Sequence, residues 1–206
     1  MKAVLKNDWY SVRYLILTLI FISVITSWLY STAPEEGYFI LALPLIYASF
    51  LPPVFYLIDE RVKWGRFVSA LPGSRSEYIH SKYISVIVSL TAIMIVTVIY
   101  HLITAVDRTQ YGEQLPVLVL GFSASLISCS ILLPVTLAFG SKAGIVTVFV
   151  NMTLYGIVAG FCDGMIENGE LSIPDLIQSL IFLGAAVVFC ILSWLISILI
   201  YNHKEL

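Results

Sequence analysis

The sequence predicts an all-α, polytopic membrane protein with six transmembrane helices. Its mean hydropathy is +0.95 and only 12% of its 206 residues are charged, about half the share found in soluble domains. Apolar runs of this kind cross lipid as helices, because a helix satisfies its own backbone hydrogen bonds. The spans are predicted at residues 14–30, 37–58, 84–106, 115–139, 143–162 and 175–201, all within one domain that covers residues 1–206.

The first apolar run, YLILTLIFISVITSWLY, is interpreted as a retained span rather than a signal peptide. Cleavage after the STA that follows it would leave Pro34 next to the cut, and the run is long for a signal sequence. The cysteines Cys129, Cys162 and Cys190 lie in or beside apolar runs without CxxC spacing. They are therefore predicted to be packing residues, not a disulfide framework or a metal site.

The charge distribution predicts the orientation of the chain. Six spans place both termini and the loops at 59–82 and 140–142 on one side, which then holds every basic residue except Arg108. The other side holds most of the acids: Glu35, Glu36, Asp107, Glu113, Asp163, Glu167, Glu170 and Asp175. By the positive-inside rule the basic side is cytosolic. We expect a multi-pass protein of a bacterial cell membrane, in contact with lipid and without a nucleic-acid surface.

The longest cytosolic loop, residues 59–82, is a polar island between two apolar runs. Its first half predicts an amphipathic helix, with apolar residues at i, i+3, i+4 and i+7: Trp64, Phe67, Val68 and Leu71. Pro72 and Gly73 then predict a break. Ser74 and Glu77 form a capping box, so a second helix is expected from Arg75 through Tyr78 and Lys82 into the third span. From the residues alone, an amphipathic loop resting on anionic lipid explains the island equally well.

The motifs DERVKW and RFVSALPGSRSEYIHSKY resemble permeases of the type-2 ABC exporter family. In those proteins an acidic-basic pair closes the second span, and an SLPvsR…KY-like segment precedes the third. The matching residues are Glu60, Arg61, Ser69, Leu71, Pro72, Ser74, Arg75, Lys82 and Tyr83. Gly73 departs from the pattern, since a small aliphatic residue is more usual there, and this affects the expected turn geometry.

The resemblance implies that residues 61–83, here called the coupling segment, dock on a separate ATPase subunit. The residues expected to make this contact are Trp64, Arg66, Phe67, Leu71, Pro72, Ser74, Arg75, Glu77 and Tyr78. It also implies two ATPase copies that bind ATP and Mg, a second permease chain that is identical or paralogous, and no cofactor in this chain. Within the family, the short permeases of phenol-soluble modulin and lantibiotic exporters are the most similar group, which implies outward movement of an amphipathic or hydrophobic peptide or toxin.

Few residues predict chemistry in the chain itself. There is no GxxxxGK[ST] phosphate-binding loop and no HExxH, and the histidines lie in three separate regions, so no metal site is expected. The predicted spans carry no Asp, Glu, Lys or Arg away from their ends, which favours a cytosolic motor over ion coupling. Two alternatives are kept: an intramembrane hydrolase using Ser123 or Ser125 with His101, and a non-transporting immunity or sensor protein.

The second and fifth spans supply candidate cargo and dimer contacts. Prolines bend the second span, and polar side chains at mid-membrane avoid lipid. The predicted cargo pathway is Tyr47, Pro52, Pro53, Asn151 and Tyr155. Gly156 and Gly160 form a small-xxx-small pair, which the resemblance assigns to the dimer contact. Residues 163–174 are expected to be either re-entrant gating helices, as in the family, or a simple acidic loop.

Overall fold

The computed structural model describes residues 2–32, 39–64, 67, 74–104, 108–167 and 176–203. These ranges contain helices and short turns, with no strand. The α-helices are α1 (Lys2–Thr32), α2 (Phe39–Tyr47), α3 (Leu51–Arg61), α4 (Ser74–Thr104), α5 (Arg108–Phe139), α6 (Ser141–Glu167) and α7 (Leu176–His203). In the part of the chain so described, α1, α4, α5, α6 and α7 are long and apolar enough to cross a membrane.

These five helices contain the first, third, fourth, fifth and sixth predicted spans, apart from the end residues that lie outside the described ranges. The second predicted span is broken: α2 has 9 residues, α3 has 11, and a 3₁₀ turn at Ala48–Phe50 joins them. Pro52 and Pro53 lie in the first turn of α3. Proline lacks an N–H group and its ring clashes with the preceding turn. Single prolines are accommodated within α2 and α5, but two adjacent prolines favour a break in the helix here.

The predicted helix that leads from the polar island into the third span is confirmed by α4. This helix is unbroken over 31 residues from Ser74 to Thr104. Most of the expected amphipathic helix before it lies outside the described residues. Only Trp64 and Phe67 are in helical conformation there, with a bond from the N–H of Phe67 to the carbonyl of Lys63 at 3.3 Å.

Helix α5 lies at the centre of the bundle, in contact with α2, α3, α4, α6 and α7. In its apolar stretch 56% of the residues are buried, against 17% to 33% in the other four candidate spans. Its small side chains permit this close packing: Ser123, Ser125, Ser128, Ser130 and Thr136 are all buried.

Helix α1 lies at the edge of the bundle and buries one face. Val12, Ile16 and Leu19 follow a spacing of four and three residues and pack into the main core. The opposite face is apolar and exposed, with Trp9, Tyr10, Tyr14, Leu17, Phe21 and Trp28. A wide exposed surface of this composition suits contact with lipid rather than water.

Several helix ends converge at one end of the bundle, here called the basic end. It comprises the first turns of α1 and α4, the last turns of α3 and α7, and the turn at Gly140 between α5 and α6. Side-chain contacts join these elements directly. The candidate site is formed by these contacts.

Candidate coupling site at the basic end

A buried ion cluster joins α1, α3 and α4. The Nζ atom of Lys82 lies 2.6 Å from Oδ1 of Asp8 and 2.6 Å from Oδ2 of Asp59. All three side chains are at most 4% exposed. These residues, Asp8, Asp59 and Lys82, are called the ion cluster below.

The ammonium group of Lys82 is also enclosed by aromatic rings. It lies 5.3 Å from the centre of the Phe55 ring and 5.0 Å from that of Tyr78, distances at which a cation is attracted to a ring face. The Tyr78 hydroxyl donates a 2.6 Å hydrogen bond to Oδ2 of Asp59. A buried charge is tolerated only when it is paired and hydrogen-bonded in this way.

The ion cluster contains two carboxylates and one ammonium group, so its formal charge is −1. Burial raises the pKa of Asp8 above its ordinary value, although the attraction and hydrogen bond of Lys82 oppose this shift. Asp8 precedes the apolar stretch of α1, which begins at Val12. The charged form of Asp8 is thus less favourable here than in water.

The acid that follows Asp59 in the sequence, Glu60, caps helix α6. The Ser141 hydroxyl donates to its Oε2, and the Ser141 N–H donates to its Oε1 at 3.4 Å. A carboxylate at a helix N-terminus satisfies a free N–H and interacts favourably with the helix dipole. The last acids of α3 therefore hold different helices, Asp59 with α1 and α4, and Glu60 with α6.

Gly140 makes this cap possible. Its φ angle is +88°, in the left-handed region, and a Cβ atom added there would lie 3.1 Å from Oε1 of Glu60. Glycine alone adopts such a conformation without a steric cost. The tight α5–α6 turn and the Glu60 cap therefore depend on the same residue.

On another face of α4, Tyr83 binds α7 through neutral hydroxyl groups. Its oxygen lies 2.7 Å from Oγ of Ser193 and 2.8 Å from Oγ of Ser197, and Ser193 donates to the Ser130 carbonyl of α5. Because each hydroxyl has one hydrogen, Tyr83 donates to Ser193 and accepts from Ser197. These residues, Tyr83, Ser130, Ser193 and Ser197, are called the hydroxyl cluster.

The start of the coupling segment is anchored to the interior beside these clusters. Lys63 has a φ angle of +55°, which ends α3 and turns the chain. Trp64 is half-buried against the core formed by Tyr78, Leu137 and Tyr201. It stacks on Phe67 at 5.4 Å between ring centres, while Phe67 is 59% exposed. The segment thus presents one aromatic ring at the surface and anchors another.

The other predicted coupling residues, apart from Trp64 and Phe67, fall into three groups. Arg66, Leu71 and Pro72 lie outside the described residues. Ser74, Arg75 and Glu77 belong to the first turn of α4, where Glu77 is exposed. Tyr78 is 1% exposed and stacks on Tyr201 at 5.5 Å, so it supports the segment from the interior and has no surface to offer a docked protein.

The predicted cargo residues occupy different environments. Tyr47 is 41% exposed, whereas Pro52 and Pro53 are buried. Asn151 donates to Oγ of Ser128 at 3.2 Å, and Tyr155 donates to the Ala124 carbonyl at 2.6 Å. Asn151 and Tyr155 thus donate hydrogen bonds to α5, and their assignment to a cargo pathway stays a prediction.

The predicted dimer contact lies on α6. Gly156 is exposed, and a Cβ atom added there would meet no neighbouring atom. The surroundings of Gly160 are outside the described part of the chain. The apolar side chains exposed on this helix are Val146, Phe149, Val150, Leu154, Ile157 and Val158.

The serines of the hydrolase hypothesis are engaged within their own helix. The hydroxyl of Ser123 donates to the Val119 carbonyl at 2.7 Å, and that of Ser125 to the Gly121 carbonyl at 2.8 Å. Both are buried. Back-bonding of this kind is how a serine satisfies its hydroxyl inside a helix, so the geometry favours packing over nucleophilic catalysis.

Asp8, Asp59, Ser141, Ser193 and Ser197 were not among the predicted site residues. The motif DERVKW contained Asp59, but the resemblance drew attention to Glu60 and Arg61. A usable signal was present: an acid at the start of one apolar run and a lysine at the start of another share the same predicted membrane side. Such charges at span ends commonly pair when they are buried.

Comparison with known families identifies the chain. The profile described as "ABC-2 family transporter protein" matches residues 3–202. The chain belongs to this family. No match was found among curated proteins or among solved structures. Membership confirms the resemblance at the level of the ABC-2 permease family, whose members are transporter membrane subunits, and it does not favour the hydrolase alternative.

Proposed function

We propose that this chain is the permease subunit of an ATP-driven exporter and that its coupling segment docks on a separate ATPase subunit. In this proposal α2 and α3 together form the second of six spans. Both termini and the basic end then face the cytosol, which agrees with the distribution of Lys and Arg. Membership of the ABC-2 family supports this function, since permeases of this family normally work with an ATPase partner.

The observation that carries the proposal is the connection between a surface and the spans. Phe67 is exposed and stacks on Trp64, which packs against the buried Tyr78 core. Tyr78 in turn donates to Asp59 in the ion cluster. A movement of the segment therefore displaces side chains that hold α1, α3 and α4 together. An ordinary lipid-bound loop needs no such connection.

The cargo is proposed to be an amphipathic or hydrophobic peptide or toxin, moved outward across a bacterial cell membrane. The charged side chains of the ion cluster lie near the basic end of the bundle, which disfavours a charged pathway through the middle. Tyr47, Asn151 and Tyr155 are proposed to border the pathway. A second permease copy, identical or paralogous, is proposed to pack on α6 at Gly156 and Gly160, with two ATPase copies supplying ATP and Mg. The resemblance to exporters of phenol-soluble modulins and lantibiotics supports this cargo class.

Co-purification tests the docking directly. The chain is isolated from native membranes, its partners are identified by mass spectrometry, and the eluate is assayed for ATPase activity. We expect an ATPase with a GxxxxGK[ST] loop, and we expect Phe67→Asp to remove it. The matched control is Phe139→Asp, because Phe139 is also exposed, at 77%, but lies outside the coupling segment. Loss of the ATPase in both variants, or in neither, contradicts the proposed docking surface.

Accessibility labelling tests the six-span topology. Lys63→Cys and Lys142→Cys, both at exposed positions, are placed in a chain in which the native cysteines are replaced by alanine. We expect a membrane-impermeant maleimide to label both only after the cells are opened. Labelling of either residue in intact cells contradicts the proposed orientation.

A further inference from the structure

The two carboxylates of the ion cluster are held unequally. Oδ2 of Asp59 accepts two short bonds, from Lys82 and from the Tyr78 hydroxyl, each at 2.6 Å. Asp8 accepts one short bond from Lys82 at 2.6 Å and one long bond from Ser85 at 3.4 Å. The Ser81 hydroxyl, which donates to the Tyr78 carbonyl, also interacts with Asp8. All of these donors lie on α4. Two short polar bonds therefore hold α3 to α4, whereas one short bond and weaker hydroxyl contacts hold α1.

The charges of the ion cluster also favour separation of α1 from α4. When Asp8 is in place, two carboxylates share one ammonium group in a buried site, which leaves one negative charge uncompensated. When Asp8 leaves, Asp59 and Lys82 form a neutral pair that keeps the Tyr78 hydrogen bond. Asp8 then regains its hydration, since it lies near the start of α1 and outside the apolar stretch of that helix. The gain in hydration offsets the lost ion pair.

The packing between α1 and α4 is also incomplete beside Asp8. A cavity of about 230 Å³ is lined on one side by Trp9, Val12 and Ile16 of α1 and on the other by Ile84, Ser85 and Val88 of α4, and Phe55 of α3 also borders it. Ser85 is the residue that donates to Asp8, so the cavity reaches the weaker side of the ion cluster. Side chains that border a cavity lose contacts there, and this lowers the cost of separating the helices.

We propose that the Asp8–Lys82 pair is a releasable latch, which lets the first turns of α1 separate from α4 while Asp59 and Tyr78 keep α3 and α4 together. Release widens the mostly apolar cleft between Trp9 and Val88, where amphipathic cargo enters between α1 and α4. The inference rests on the proposed function for the role of the cleft in transport. The latch itself is a property of this chain and can be measured without any partner.

Distances between spin labels test the latch in the full-length permease. One pair, Lys6→Cys with Glu77→Cys, reports the separation of α1 from α4. The matched pair, Arg61→Cys with Glu77→Cys, reports the separation of α3 from α4. All three positions are exposed, and both pairs are placed in a chain in which the native cysteines are replaced by alanine.

The latch predicts two populations for the α1–α4 pair and one for the α3–α4 pair. The separated form is expected to be a minor state, at about 1–10%. Asp8→Ala, which removes the acceptor of the Lys82 bond, is expected to make it the major state without changing the α3–α4 distance. Asp8→Glu, which keeps the carboxylate, is expected to preserve the wild-type distribution. A single α1–α4 distance that Asp8→Ala leaves unchanged overturns the latch, as does a change that appears equally in both pairs. Monodisperse elution from a sizing column shows that each variant is folded.

A reversible crosslink tests the role of the latch in transport. Trp9→Cys and Ser85→Cys, on opposite walls of the cavity, are joined by a disulfide-containing bifunctional reagent. In the complex with the ATPase, reconstituted in vesicles, we expect the crosslink to stop movement of a fluorescent amphipathic peptide across the membrane and reduction to restore it, while the reagent has no effect on Trp9→Cys alone. Full transport by the crosslinked complex overturns the role of the cleft. If no ATPase is found, the proposed function fails, yet the distance measurement still decides whether the latch exists.

Discussion

Lys82 and Tyr83 are adjacent in α4, yet they hold different helices by different means. Lys82 binds α1 and α3 through charges, in a site with one carboxylate in excess. Tyr83 binds α7 through hydroxyl groups whose hydrogens all have acceptors, since the Ser193 hydroxyl donates its hydrogen bond to the Ser130 carbonyl. A neutral, fully paired network has no electrostatic reason to open. The comparison indicates that α4 is held to α7 by a neutral network and to α1 by a network that responds to charge.

The largest expected effect comes from removing the ammonium group. Lys82→Met leaves Asp8 and Asp59 without their common cation, and breaking a buried ion pair in this way costs about 3–5 kcal/mol. The free energy of unfolding, measured by titration with a denaturing detergent, is expected to fall by this amount. Lys142→Met is the control, because Lys142 is exposed and its loss is expected to change stability by less than about 0.5 kcal/mol. Equal effects of the two substitutions contradict the assigned role of Lys82.

The corresponding change in the hydroxyl cluster is Tyr83→Phe, and its expected effect is smaller. The ring stays in place and only the hydrogen bonds to α7 are lost. In membranes such bonds contribute about 0.6 kcal/mol each, so a loss of about 1 kcal/mol is expected in the same titration. Tyr10→Phe, on the exposed face of α1, is the control. A loss as large as that of Lys82→Met shows that the hydroxyl cluster is not the weaker contact.

The sequence alone could not predict most of this difference between the ion cluster and the hydroxyl cluster. Apolar run length predicted five helices that the structure confirms, because hydrophobic length is a local property of the chain. The ion cluster joins residues 74 positions apart, Asp8 and Lys82, and no spacing rule indicates which acid meets which base across a bundle. The motif around Lys82 and Tyr83 marked the right place through resemblance, without showing what these side chains bind.

Two local predictions show the same limit in different ways. The prolines at 52 and 53 predicted a bend, and the structure has a 3₁₀ turn at Ala48–Phe50, one residue before them, since proline acts on its own neighbours. Tyr78 was expected to contact an ATPase, but it is buried beneath Tyr201. Periodicity gives the face of a helix on which a residue lies, whereas the partner that covers this face comes from a distant segment.

The pH dependence of stability distinguishes the ion cluster from the hydroxyl cluster. Because the pKa of Asp8 is raised above 3.8 by burial, its ionisation costs more in the folded protein than in the unfolded chain. The folded state binds more protons between these pKa values, so the contribution of Asp8 to stability decreases as the pH rises from about 3.8 through the raised pKa. Above that pKa the contribution is constant.

Asp8→Asn is therefore expected to remove part of the pH slope of the unfolding free energy, and Tyr83→Phe to leave this slope unchanged. Asp8 shares its surroundings with other titratable groups, namely Asp59, Lys82 and Tyr78. The informative quantity is therefore the difference in pH slope between wild type and variant. Parallel pH curves for wild type and Asp8→Asn contradict the raised pKa.

The smallest expected effect lies within the hydroxyl cluster. Ser197 makes one bond in it, to Tyr83, whereas Ser193 makes two, to Tyr83 and to the Ser130 carbonyl. Ser197→Ala is thus expected to cost about 0.5 kcal/mol and Ser193→Ala about 1 kcal/mol. Ser89→Ala is the control, since the buried hydroxyl of Ser89 bonds only within its own helix among the contacts described, to the Ser85 carbonyl at 2.7 Å.

A double-mutant cycle shows whether these small losses belong to the same network. Once Tyr83→Phe has removed the shared partner, Ser197→Ala is expected to cost almost nothing further, because the bond that it deletes is already gone. Additive losses instead mean that Ser197 is bonded elsewhere, and that the side of α4 toward α7 is held by packing rather than by hydroxyl groups. The hydroxyl cluster would then no longer account for the attachment of α7 to α4, while the ion pairs of Lys82 with α1 and α3 would be unaffected.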